Sequence, residues 1–192
     1  MSKRSEREPS GLSKDQHEKL ISLDENAWRE VVKKYTLDLS RFAHWLCRRN
    51  KSLVDDIIQE TFFEALKSID TLHDRRAFKS WLISICFNVG LGIIKKFDHP
   101  RDVPLETYNP PSQEENRWWL LSDDELLSKI EKHLPALSTQ QRACLHLRYR
   151  EGMLLDEIAG LLNTNQAVVR TQLCKARSKL RKLLEGEKLI ED

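Results

Sequence analysis

The sequence predicts an all-α protein of two small helical domains joined by a flexible linker. Three observations carry this expectation. Apolar residues recur at three- and four-residue steps through Asp24 to Arg49, Leu53 to Ile69 and Ala77 to Lys96, the spacing of a buried helix face. The first of these stretches contains no Pro or Gly to interrupt a helix. Between two such helical blocks, Pro100, Pro104, Pro110 and Pro111 fall within twelve residues, which forbids regular helix and favours extended chain. The length of 192 residues suits one domain or two small ones. The divisions are a polar tail over 1–23, a domain over 24–97, a linker over 98–121, a second domain over 122–185 and an acidic tail over 186–192.

Composition sets the class. Charged residues are 32% and hydrophobic residues 40%, with a net charge of only +2, so the distribution of charge says more than its sum. The opening, MSKRSEREPSGLSKDQHEK, is polar and lacks the apolar core of a secretory signal, so a disordered tail and a cytoplasmic protein are expected. Trp81 to Ile94 is apolar but shorter than the roughly 20 residues of a membrane span and contains Asn88. It reads as the buried helix of a bundle, and no membrane insertion is expected. The four cysteines, Cys47, Cys86, Cys144 and Cys174, form no C-x-x-C pair and are expected to be reduced thiols. His44 and Cys47 read as packing rather than a metal site. There is no Gly-rich phosphate loop, nucleophile motif or credible metal set, so neither an enzyme nor a cofactor is expected.

The first helix takes its inner face from Ala27, Trp28, Val31, Val32, Tyr35, Leu39, Phe42, Ala43, Trp45 and Leu46, with a possible break near Thr36 to Asp38. Ser52, with Asp55 three residues on, is a candidate cap for the next helix. That helix places Ile58, Phe62, Ala65, Leu66 and Ile69 inward and leaves Asp56, Gln59, Glu60 and Phe63 on the other side. Leu72 to Arg76 is a charged loop. In the helix after it, Phe78, Trp81, Leu82, Ile85, Val89 and Ile93 can face the core. Gly90 and Gly92 either permit a close approach of another backbone or weaken the last turns, at about 1 kcal/mol each.

In the second domain, Ser122 to Glu125 and Ser138 to Gln141 are capping boxes, Leu134-Pro135 ends a helix, and Glu151-Gly152 closes another with Gly in the C-terminal role. Asp156 to Leu162 then forms a short helix. Asn163 to Asn165 makes the turn, Asn being tolerant of a left-handed backbone. From Val168 a longer helix carries Val168, Val169, Leu173, Ala176, Leu180, Leu183 and Leu184 as its apolar stripe. Six basic residues and no acidic one fall between Val168 and Lys182: Arg170, Lys175, Arg177, Lys179, Arg181 and Lys182. A helix with an apolar stripe and an otherwise basic surface, placed second in a helix-turn-helix, suits the major groove of a DNA duplex.

Two motif sets resemble a known family. Asp55-Asp56-Ile57-Ile58-Gln59-Glu60-Thr61-Phe62 resembles the D-x-x-Q-[ED]-x-F signature of bacterial sigma factors. Ala77-Phe78-Lys79-Ser80-Trp81-Leu82 with Asn88 resembles the F-x-x-W-L…N run of the extracytoplasmic-function group. Leu134-Pro135, Gln141-Arg142, Leu147-Arg148-Tyr149, Glu151-Gly152, Asp156-Glu157-Ile158-Ala159, Val169-Arg170-Thr171 and Lys175-Ala176-Arg177 are similar to that group's carboxy-terminal helix-turn-helix. The match covers roughly Asn26 to Leu184.

The resemblance implies a region-two helical bundle, a four-helix region-four domain and an alternative sigma factor, acting in a stress or envelope-type response. Its implied partners are core RNA polymerase, double-stranded promoter DNA, the melted minus-ten strand and an anti-sigma factor. By the same resemblance Asp56, Gln59, Glu60 and Phe63 bind core polymerase. The minus-ten set is His73, Arg75, Arg76, Phe78, Lys79, Trp81, Asn88, Lys95 and Lys96. Within it Phe78 and Trp81 read as core, and Asn88 as the residue nearest a base. The minus-thirty-five set is Asn165, Gln166, Arg170, Thr171, Cys174, Lys175 and Arg177. Gly92, Gln172 and Cys174 depart from the residues usual in the group. Trp118 and Trp119, at the end of the linker, are candidate docking groups for an anti-sigma partner. A helix-turn-helix regulator that does not replace sigma explains the second domain equally well, but not the two motifs of the first.

Overall fold

The computed structural model describes residues 11–47, 51–97, 130 and 132–188. All regular structure among them is helical. Two compact units divide the chain: Met1–His44 with Asn50–Ile94, and Trp45–Arg49 with Lys95–Asp192.

The first unit holds α1 (Lys14–Ile21), α2 (Glu25–Leu46) up to His44, α3 (Lys51–Ser68) and α4 (Phe78–Phe97) up to Ile94, with 3-10 turns at Ile69–Thr71 and Arg75–Ala77. Helix α1 lies inside the stretch expected to be a disordered tail, which corrects that expectation for these residues. Its polar surface hid it, but its signals are complete. Ser13 and Gln16 form a capping box, with Ser13 N–H to Gln16 Oε1 at 3.0 Å and Gln16 N–H to Ser13 Oγ at 3.1 Å. Leu20 is fully buried, and the Trp28 indole donates to its carbonyl at 3.1 Å.

Helix α2 runs unbroken through Thr36 to Asp38. Asp24 caps it by accepting the Ala27 N–H at 2.8 Å. Trp28, Val31, Tyr35, Leu39, Phe42 and Ala43 are buried, while Val32, expected inside, is exposed. Helix α3 begins one residue before Ser52, which is therefore not its cap.

The inner stripe of α3 is Val54, Ile57, Thr61, Ala65 and, just beyond its end, Ile69. Of the residues expected there, Ile58 and Phe62 are half-buried and Leu66 is exposed. Thr61 can be buried because its hydroxyl donates to the Ile57 carbonyl at 2.6 Å. A polar residue in the stripe is what displaced the expected face. In α4, Phe78 and Leu82 are buried as expected, but Ile83, Cys86, Phe87 and Ile94 are buried too, whereas Trp81, Ile85, Val89 and Ile93 are only half-buried. With so many apolar residues, periodicity cannot single out one side. A Cβ at Gly92 would meet nothing within 4 Å, so this glycine serves no close approach and simply weakens its turn. The stretch Arg75–Lys96 is long and apolar enough to cross a membrane by length and composition, yet Phe78, Leu82 and Cys86 are fully buried in this unit.

The second unit holds α5 (Thr139–Leu145), continued by a π-helical turn over His146–Arg150, then α6 (Leu155–Leu161) and α7 (Gln166–Lys188). Ser138 and Gln141 form the expected capping box for α5. Gly152, at φ 64°, takes the left-handed position after the π turn. Arg142 is buried in α5, where its guanidinium donates to the carbonyls of Leu134 and Leu137 and to Thr139 Oγ1. A buried cation survives only with such partners, and here they fix the Leu134–Ala136 turn against α5. The Ser122 to Glu125 box, the linker over 98–121 with Trp118 and Trp119, and residues 189–192 lie outside the described residues. Helix α7 runs into the segment expected to be an acidic tail and ends at Lys188.

Candidate protein and nucleic-acid interfaces

The outer side of α3 is the first candidate surface. Asp56 and Glu60 are four apart, as are Gln59 and Phe63, and Asp56–Gln59 and Glu60–Phe63 are three apart, which puts the four on one helix face, and all four are exposed. Phe63 is 52% exposed. The Lys67 ammonium sits 3.8 Å from its ring centroid and pairs with Glu64 at 2.8 Å. Two carboxylates, an amide and a ring thus form a patch suited to a basic, hydrogen-bonding partner with an apolar spot.

The second surface is the loop before α4. Leu72 is buried and anchors it, while His73, Asp74, Arg75 and Arg76 are exposed. Asp74 caps the 3-10 turn by accepting the Arg76 N–H at 3.0 Å, and its carbonyl accepts the Ala77 N–H at 2.9 Å. Arg76 Nε lies 3.5 Å from Asp74 Oδ1. Three cationic or ionisable side chains are therefore carried on a tight, capped turn.

The remaining members of the expected minus-ten set divide by burial. Phe78 is fully buried, with ring centroids 5.3 Å from Tyr35 and 5.6 Å from Trp81. It can support the loop but cannot stack on a base. Trp81 is half-buried and Asn88 exposed. Lys79 pairs with Asp38 of α2 at 2.9 Å, so a phosphate would have to compete with that partner. Lys95 and Lys96 are exposed in the last turn of α4, where cations also complement the helix dipole.

The third surface is built by α6, its turn and α7. Asn163 has φ 48°, and the N–H groups of Asn163 and Thr164 donate back to Gly160 and Ala159 at 3.3 and 2.9 Å. This is the Schellman stop, with Asn in the place Gly usually takes. Asn165 then caps α7 by accepting the Val168 N–H at 2.9 Å, so its side-chain oxygen is committed to the turn. The buried stripe of α7 is Val169, Leu173, Ala176 and Leu180, while Val168, expected in it, is exposed.

Of the predicted minus-thirty-five residues, Asn165, Gln166 and Arg170 are exposed. Thr171, Cys174, Lys175 and Arg177 are half-buried, and Thr171 donates back to the Ala167 carbonyl at 2.9 Å. Arg177 contacts Cys174 Sγ at 3.1 Å and the Leu173 carbonyl at 3.3 Å. Its charge also acts on Tyr149, whose hydroxyl is pushed up in pKa chiefly by burial and pulled back by Arg177. Arg177 therefore brings positive charge to this surface with a guanidinium already engaged, and Arg170 is the more available fork. Gln172 reaches Gln140 of α5 at 3.5 Å.

Sequence reasoning missed α1 and what it touches. A groove of about 800 Å3 between α1 and α2 is lined by Asp15, Lys19, Glu30, Lys34 and their neighbours, with both signs of charge present. The Ser13 to Gln16 capping box was the available signal for this helix.

Comparison with known proteins gives each unit a counterpart. Residues 31–89 match the family described as sigma-70 region 2, and residues 127–180 match sigma-70, region 4. The chain is 27% identical over 175 residues to the ECF RNA polymerase sigma factor SigX of Bacillus subtilis (strain 168), spanning 88% of this chain and 90% of that protein. It is 30% identical over 173 residues to SigW of the same organism, an ECF RNA polymerase sigma factor, spanning 84% and 90%. Among solved structures, the sigma factor RpoE in complex with the anti-sigma factor NepR, from Bartonella quintana, matches with a TM-score of 0.60 at 23% identity. That match covers 82% of this chain and 96% of the matched one.

Proposed function

The chain belongs to the extracytoplasmic-function sigma factors of RNA polymerase, and from that membership we propose how its surfaces divide the work. It is an alternative sigma factor, which binds core RNA polymerase and directs promoter-specific initiation of transcription. We assign contact with core polymerase to Asp56, Gln59, Glu60 and Phe63 on α3. We assign minus-ten opening and readout to His73, Arg75, Arg76, Asn88 and the edge of Trp81, with Lys95 and Lys96 on phosphates. Phe78 acts from the core, and Lys79 acts only by exchanging Asp38 for phosphate. The minus-thirty-five duplex falls to Gln166, Arg170, Thr171, Cys174 and Lys175, with Asn165 shaping the entry of the helix and Arg177 contributing charge.

The observation that carries this reading is the presence, in one chain, of an exposed acidic and apolar face on α3 and a basic second helix in a helix-turn-helix. The first suits a protein partner and the second a duplex. Removing a base from the stack costs a few kcal/mol, so an exposed cationic loop beside a half-buried Trp suits the melted strand through phosphate contact and stacking. Two weak grips on one chain raise each other's effective concentration. The duplex-reading helix therefore does not require high affinity by itself.

An anti-sigma factor is the further partner we assign, on the likeness of fold to a sigma factor solved with one. The protein works in the cytoplasm, where polymerase and promoter are, as a binding subunit without catalysis of its own. The deciding experiment adds the full chain to sigma-free core polymerase on promoter DNA. Promoter-specific transcripts are expected. Sequence-specific DNA binding without core-dependent initiation would instead make it a regulator that leaves sigma in place.

A further inference from the structure

None of the roles above uses the contact between the amino-terminal segment and the loop before α4. Gly11 lies directly on the backbone of that loop. A Cβ at this position would stand 2.7 Å from the Arg76 Cα and 3.1 Å from the Arg75 carbonyl oxygen. These are main-chain atoms, which cannot turn aside as a flexible side chain would. The next residue makes the contact directional: the Leu12 N–H donates to the same Arg75 carbonyl at 2.9 Å. The Leu12 side chain is buried, as is Leu72 at the start of the loop. Ser13 then caps α1, so the segment passes straight from the loop into a fixed helix, which Trp28 secures at its far end.

The loop is thus held on one side by Leu72 in the core and on the other by a backbone clamp from residues 11 and 12. The clamp grips the main chain at Arg75 and Arg76 and leaves both guanidinium side chains exposed. Glycine loses more conformational freedom on folding than any other residue, and what it gains here is an approach that no side-chain-bearing residue could make. A loop that must meet an unstacked base benefits from being set beforehand, because ordering it during binding would subtract from affinity.

We infer that Gly11 and Leu12 are positioning residues for minus-ten readout, presetting the Arg75–Arg76 backbone so that the two guanidinium groups meet the melted strand in one geometry. The inference rests on the assignment of this loop to the minus-ten element. Neither residue touches DNA; both act through the loop.

The test uses the full chain assembled with core polymerase on two promoter sets, one substituted position by position in the minus-ten element and one in the minus-thirty-five element. Gly11→Ala introduces the clash, and Leu12→Pro removes the N–H donor. Ile57→Val, in the core of α3, serves as a destabilised variant that leaves the clamp intact. Gly11→Ala and Leu12→Pro are each expected to reduce the preference among minus-ten variants by about five-fold, the low end of what one base contact discriminates. Minus-thirty-five preferences and affinity for core stay unchanged, and Ile57→Val lowers all promoters alike. Wild-type minus-ten ratios in both clamp variants, or an equal change of ratios in Ile57→Val, overturns the inference. Arg75→Ala and Arg76→Ala separate the two levels. If they shift the minus-ten ratios while the clamp variants do not, the clamp alone is refuted. If they also leave the ratios unchanged, the loop is not the reader and the assignment falls with the inference.

Discussion

Arg170 and Lys179 lie on the same helix but in different surroundings: Arg170 is exposed one residue past the buried Val169, and Lys179 is half-buried beside Leu180. A bidentate Arg–guanine contact discriminates by about 1–3 kcal/mol, whereas a phosphate contact carries no sequence information. Arg170→Ala is therefore expected to weaken one class of minus-thirty-five sequences selectively, and Lys179→Ala to weaken all duplexes about equally. Fluorescence anisotropy across a panel of duplexes measures both. Uniform loss in both mutants would remove Arg170 from base readout. The cysteines give a second test. Cys144 is buried, and desolvation pushes its thiol up to about 12 from 9.0, while Cys174 on α7 is half-buried. Iodoacetamide at neutral pH should modify Cys174 and spare Cys144 until the unit unfolds, and promoter DNA should protect Cys174; mass spectrometry reads all three. Because folding raises the Cys144 pKa, its contribution to stability is present below pH 9 and is lost as the pH rises toward about 12. Cys144→Ala should flatten that alkaline decline. None of these local states was legible beforehand. The sequence shows that Arg177 is basic, but not that its guanidinium is held by Cys174 and the Leu173 carbonyl, since such contacts depend on rotamers that the helical period does not specify.

At the scale of elements, turn chemistry was the most readable feature and helix faces the least. The Ser138 box, the left-handed Gly152 and the Asn163 turn all follow from local sequence, because a cap is made by residues three or four apart. The inner face of α3 did not follow, since Thr61 is polar on paper and becomes acceptable inside only by bonding to Ile57. The corner between α1 and α2 shows a local rule broken. The N–H groups of Leu23 and Asp24 donate to Leu20 and Lys19 at 3.1 and 2.9 Å, a Schellman stop with an exposed leucine at φ 59° where glycine is usual. Leu23→Gly should therefore stabilise the first unit by up to about 1 kcal/mol, the left-handed penalty less the entropy that glycine adds to the unfolded chain. Gly92→Ala, into open space in α4, should add about 1 kcal/mol. Urea titration of each variant is the measurement, and destabilisation by Gly92→Ala would mean that the space around this glycine is not open to a Cβ.

For the whole molecule, two units carrying different surfaces predict separable losses. Asp56→Lys with Glu60→Lys reverses the charge of the α3 face and is expected to lower affinity for core polymerase at least about ten-fold, without changing binding of an isolated minus-thirty-five duplex. Competition for core against a second sigma factor, beside duplex anisotropy, distinguishes this from general misfolding. The division into two helical units and the helix-turn-helix were both legible, because Pro-rich punctuation and a basic stripe are features of long stretches. The clamp on the loop before α4 was not, because it joins segments far apart in the chain through main-chain atoms. That separation also imposes an order in time. Synthesis releases Gly11 and Leu12 before α2 and α3, yet Leu12 has no acceptor until Arg75 has emerged, and contacts so distant along the chain close slowly. The earliest of these segments to leave the ribosome must therefore wait for the loop before it can bond to it.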